Sequence, residues 1–223
     1  MNKYYIIFGI LVTYKAYFFY KIRKNYKKLC SEYPLYTFTV IYPDNGNDDT
    51  RSILLIGDSL VTSVGSNLLY GPKLLSNEKN LIIYTISKIG LKLTKIDEFY
   101  DKIEYILKNY NIEYILLCLS TNDYLRVIEK DKIMINLDYI NNFKLPVKII
   151  IGDITNFKIF PVVFRKYLSI NYNKILDILN EYNMKIINLN FPDNQDLIVS
   201  SDKIHLNENG YNYVIPIISK YLD

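Results

Sequence analysis

The sequence holds two cysteines, one histidine and no acidic residue in its first 30 positions. Each scarcity excludes something. Cys30 and Cys118 do not make a disulfide framework: Cys118 sits inside the apolar run "YILLCLS" and reads as a small buried hydrophobe, and Cys30 falls in a basic stretch. A single histidine with no close cysteine pair leaves no zinc motif. Positive charge is equally scarce where a nucleic-acid binder would carry it. The net charge is +4, yet Lys3, Lys15, Lys21, Arg23, Lys24, Lys27 and Lys28 all precede residue 31, and the rest of the chain sums to −3. Nucleic acid is therefore excluded as a partner of the folded part.

What the first 30 residues do contain is the apolar, aromatic run "YYIIFGILVTYKAYFFY" (4–20), followed by "KIRKNYKK". No small-residue cleavage site follows it, as a signal peptide requires, and "KKLC" lacks the small residues of a lipoprotein site. Aromatics at both ends suit a membrane interface, so the run reads as an uncleaved anchor that spans the bilayer or lies in its surface. The bland alternative is an amphipathic helix packed on the domain. The domain plan is an anchor with a basic linker (1–30), a turn-rich linker (31–50), and one catalytic-size domain (51–223). The protein is expected at a membrane.

After residue 50, short apolar runs recur at 52–57, 81–86, 113–119, 147–153 and 184–189. They are apolar throughout, as parallel strands covered on both faces should be. Helical segments lie between them: 94–110 repeats Ile96, Phe99, Ile103 and Ile106 at three- and four-residue steps, and 160–182 and 206–222 behave alike. The expectation is an α/β fold with five parallel strands in one doubly wound sheet. Ligands of such sheets bind beyond the carboxyl ends of the strands.

Those ends carry chemistry. Asp58 and Ser59 follow the first run, Ser87 and Gly90 the second, and "STND" (120–123) the third; Asp202 and His205 lie in the loop after the fifth. A serine hydroxyl needs a base to become a nucleophile, and His205 is the only imidazole. Asp202, three residues earlier, can reach a ring nitrogen across one turn and fix the tautomer. The backbone N–H groups of Ser59 and Gly90 and the Asn122 amide are candidate oxyanion donors. Each has a plainer reading: Ser59 or Asp202 as a helix cap, Asn122 and Asp123 as a cap for the next helix, Gly90 as a turn residue. The α/β-hydrolase elbow G-x-S-x-G is ruled out, because "GDSLV" lacks its second glycine.

Over residues 50–222 the chain resembles the SGNH (GDSL) hydrolase family of esterases and lipases. "IGDSL" is similar to the first block, Gly90 in "SKIG" to the second, Asn122 in "STND" to the third, and "SDKIHLNENGY" to the last. Ser120 stands where the third block usually has glycine, and Lys88 and Ile89 precede Gly90 where a polar residue is common. The N-terminus and "IGDITNFKIFPVVFR" are similar, more loosely, to membrane-tethered bacterial members. The resemblance implies a three-layer flavodoxin-like fold preceded by a hydrophobic helix, and a Ser59–His205–Asp202 triad. It also implies an oxyanion hole from Ser59, Gly90 and Asn122, and no metal or cofactor. The implied substrate is a carboxylic ester or thioester, of a lipid or an acylated glycan. An acyltransferase on the same triad, or a non-catalytic membrane-associated binding module, are the alternatives.

Overall fold

The computed structural model describes Tyr17 and residues 20–47, 50–119, 121–125, 127–155, 157, 159–182, 184–192, 195 and 198–222. The expected anchor (4–20) lies outside the described residues except for Tyr17 and Tyr20, and so does Ser120. Among the described residues no helix is long and apolar enough to cross a membrane.

All five apolar runs form parallel strands: β2 (Arg51–Gly57), β3 (Leu81–Lys88), β4 (Tyr114–Cys118), β5 (Val147–Asp153) and β6 (Lys185–Asn190). A sixth strand corrects the expected count. β1 (Tyr36–Ile41) lies in the stretch read as a linker and pairs antiparallel with β3, giving the order β1-β3-β2-β4-β5-β6. Its alternating "YTFTVI" is an edge-strand pattern, with Phe38 exposed while Thr37 and Ile41 are buried.

The basic stretch is helical. Residues 20–31 form helix α1, whose half-buried positions Ile22, Asn25, Tyr26, Leu29 and Cys30 recur at three- and four-residue steps. Lys21, Arg23, Lys24, Lys27 and Lys28 occupy the exposed face.

Successive β2 side chains point to opposite faces of the sheet. Leu54 and Ile56 join one core with Ile103 of α4 (Tyr100–Asn109), Leu137 of α6 (Lys130–Asn141) and Ile175 of α7 (Val162–Glu181). Ile53 and Leu55 join the other with Leu75 of α3 (Tyr70–Lys79) and Val214 of α8 (Glu208–Ser219). This is the three-layer α/β/α arrangement. The segment expected as one helix over 94–110 opens instead as a 3-10 helix, Leu93–Phe99, before α4.

Strand β2 has β3 on one side and β4 on the other. The connection leaving β2 runs toward β3 and the one leaving β4 runs toward β5, in opposite directions, which opens a crevice between the carboxyl ends of β2 and β4. Ser59 lies two residues beyond the end of β2.

Candidate active site

The turn after β2 is set by close packing. A Cβ on Gly57 would lie 2.2 Å from Val61 Cγ2 and 3.0 Å from the Cys118 carbonyl oxygen, so glycine alone lets the short helix α2 (Ser59–Thr62) fold back there. Asp58, not Ser59, is the cap: its Oδ1 accepts from the Leu60 N–H at 2.9 Å. Ser59 is thereby released from capping. It is half-buried, and its hydroxyl has no hydrogen-bond partner among the described residues.

The other Asp58 oxygen accepts from the Asn122 amide at 2.7 Å; that amide also donates to the Leu91 carbonyl at 3.2 Å. Burial pushes the Asp58 carboxyl up to about 6, against the pull of the Leu60 N–H and the charge of His205. Asn122 lies in the short helix α5 (Thr121–Tyr124) that follows β4. Asp123 does not cap α5. It reaches across to the start of the 3-10 helix and accepts from the N–H groups of Leu93 at 2.8 Å and Thr94 at 3.3 Å. Burial raises its carboxyl to about 6 as well. Two side chains from "STND" thus tie the end of β4 to the loop that carries Gly90.

Gly90 has φ +76°, a left-handed conformation that disfavours any side chain, and a Cβ placed there would meet nothing within 4 Å. Ser87 stands apart from the site: it is fully buried, and its hydroxyl bonds Thr62 Oγ1 at 3.0 Å.

The loop after β6 closes a tight turn. The Ser200 N–H donates to the His205 carbonyl at 2.7 Å, and Val199 bridges Leu206. Inside this turn Asp202 Oδ2 lies 2.6 Å from His205 Nδ1. Its Oδ1 accepts from Ser200 Oγ and from the N–H groups of Ile204 and His205, each at 3.0 Å. Burial of Asp202 opposes its charge, but the hydrogen bond and charge of His205, with the two N–H groups, outweigh it and hold the carboxyl at about 2. Asp202 is not a cap of α8; Asn207 is, accepting from Gly210 N–H at 3.0 Å.

Ser59, Gly90, Asn122 and His205 line one cavity of about 310 Å³, and Asp202 sits fully buried behind His205. Tyr26 of α1 lines the same cavity. Leu119, Leu125, Ile150 and Phe191 make much of the remaining wall apolar.

The backbone matches solved esterases. One is the psychrotrophic esterase EstA from Pseudoalteromonas sp., solved inhibited by monoethylphosphonate: TM-score 0.58 at 19% identity, over 77% of this chain and 98% of that one. A second is the lipase Lip_vut3 from a goat rumen metagenome, with TM-score 0.61 at 16% identity, over 77% and 97% of the two chains. A third is a member of the lipolytic protein G-D-S-L family from Veillonella parvula, with TM-score 0.57 at 16% identity, over 78% and 98%. The fold is that of the G-D-S-L esterases. No family model matches the sequence, and no curated protein matches it. The likeness thus lies in the backbone.

Asp58, Asp123 and Tyr26 are the residues at this site to which the sequence assigned no part in it. "GDSL" and "STND" brought the two aspartates into view, but their partners lie 64 and 30 residues away in the chain. For Tyr26 the available signal was the three- and four-residue stripe of α1.

Proposed function

We propose that the protein is a serine esterase that cleaves a carboxylic ester or thioester through an acyl-enzyme. The observation that carries this reading is the His205–Asp202 pair, 2.6 Å apart, with His205 on the same cavity as an uncommitted Ser59 hydroxyl. Asp202 holds Nδ1, so Nε2 is left to act on Ser59. Ser59 Oγ attacks the carbonyl carbon while His205 takes its proton. The oxyanion of the tetrahedral intermediate is held by the N–H groups of Ser59 and Gly90 and by the Asn122 amide. In the resting site that amide is shared between Asp58 and the Leu91 carbonyl, so one of its bonds lengthens as the oxyanion forms. His205 then gives the proton to the departing alcohol or thiol as its bond to carbon breaks. Water, deprotonated by His205, attacks the acyl-enzyme; the bond to Ser59 Oγ breaks, His205 returns the proton to that oxygen, and the acid leaves. No step calls on a metal or cofactor.

The apolar wall of the cavity suits an acyl chain. The five exposed cations of α1, adjoining the apolar run 4–20, suit an anionic membrane surface, which makes lipid esters the favoured substrates. Hydrolysis of a short p-nitrophenyl ester tests the reading. Ser59→Ala and His205→Ala are each expected to abolish turnover, and wild-type rates in the Ser59 variant contradict the mechanism.

A further inference from the structure

Helix α1 brings an aromatic ring onto the catalytic base. The Tyr26 and His205 rings stack with centroids 5.4 Å apart and planes 21° from parallel. Two sets of contacts hold the helix in place. Asn25 Nδ2 donates to the Ser201 carbonyl at 3.3 Å, beside Asp202. Beyond the helix, the Tyr33 hydroxyl accepts from Gly65 N–H at 3.1 Å and donates to the Ser66 carbonyl. Thus α1 is fastened to the loop that carries His205 and to the loop that follows α2.

His205 is faced by Asp202 at Nδ1 from its own turn, by Asp58 from the end of β2, and by the Tyr26 ring from α1. It is only 8% exposed. In the acylation step it becomes an imidazolium, and a parallel aromatic face steadies that cation while keeping water off one side of the ring.

We propose that Tyr26 is a positioning residue of the active site, holding the His205 imidazole in the plane from which it exchanges a proton with Ser59. The proposal rests on the esterase reading above. In this protein, then, the hydrolase domain alone does not complete the site; α1 supplies one wall of it.

The test uses the full chain, with steady-state hydrolysis of a p-nitrophenyl ester, thermal melting, and fluorophosphonate labelling of the wild type as the independent check on the esterase reading. Tyr26→Phe keeps the ring and is expected to retain kcat within about twofold. Tyr26→Leu fills the space without an aromatic face and is expected to lower kcat about tenfold with little change in KM. Ile22→Ala, elsewhere on the same stripe and away from the cavity, controls for the docking of α1 and is expected to leave kcat near wild type. Three results each overturn the proposal: wild-type kcat in the Leu variant, an equal loss in the Phe variant, or an equal loss in Ile22→Ala. A rise in KM at constant kcat also overturns it, because it assigns the ring to substrate binding. A wild type that neither labels nor turns over removes the esterase reading itself. A wild type that does both, beside an unchanged Leu variant, removes only the role of Tyr26.

Discussion

Asn122 Nδ2 donates to Asp58 Oδ2 across 2.7 Å, joining the residue before the serine to the helix after β4. Asp58 is therefore both the cap of α2 and the anchor of the Asn122 amide. Its carboxyl is buried, and that burial has a thermodynamic signature.

The folded state holds the Asp58 proton more tightly than the unfolded chain does, with a value near 6 against an ordinary 3.8. A raised carboxyl means that stability is present at low pH and lost as pH rises from about 4 through about 6. Between pH 5 and pH 8 this residue should cost about 1–2 kcal/mol of folding stability. Asp58→Asn, which cannot ionise, is expected to shrink the pH 5-to-8 difference in urea-denaturation stability by that amount. An unchanged difference contradicts the assignment.

Asn122→Ala removes the amide that both holds Asp58 and faces the cavity. Turnover is expected to fall about a hundredfold or more, the scale of a lost oxyanion donor, with KM nearly unchanged. A loss confined to KM assigns Asn122 to substrate binding.

Asp202 plays two parts through its two oxygens. Oδ2 holds His205, and Oδ1 closes the turn on Ser200, Ile204 and His205. Asp202→Asn can keep the turn while reversing the demand on Nδ1, so kcat is expected to drop by on the order of 10³–10⁴ with a folded protein. The depressed carboxyl, near 2, contributes stability that is present above about pH 4 and lost as pH falls toward 2. Acid titration of the wild type and the Asn variant, followed by circular dichroism, is expected to show the wild type losing its stability advantage over the variant as pH falls from about 4 toward 2.

Gly57 is a packing requirement. Gly57→Ala places a methyl 2.2 Å from Val61 Cγ2 and is expected to destabilise the fold by about 1–3 kcal/mol. Adding Val61→Ala removes that clash, so the double variant should recover part of the loss relative to additivity in a double-mutant cycle.

The reach of the sequence was set by how local each signal is. The buried strands announced themselves because parallel strands are apolar on both faces, and β2 is buried from Ile53 to Gly57. β1 escaped because an edge strand buries only alternate residues, and its Tyr and Thr positions read as polar linker. The Asp202–His205 contact was legible from a three-residue spacing that its turn preserves. The Asp58–Asn122 and Tyr26–His205 contacts were not, since each joins segments that meet only after the sheet and α1 are in place.

The central claim is an activated Ser59. The most direct measurement is intact-mass spectrometry and peptide mapping after treatment with a fluorophosphonate, in the wild type and in Ser59→Ala. The account predicts one covalent adduct per chain, on the peptide that contains Ser59, and none in the variant. A folded wild type that takes up no adduct, or takes it up elsewhere, contradicts it.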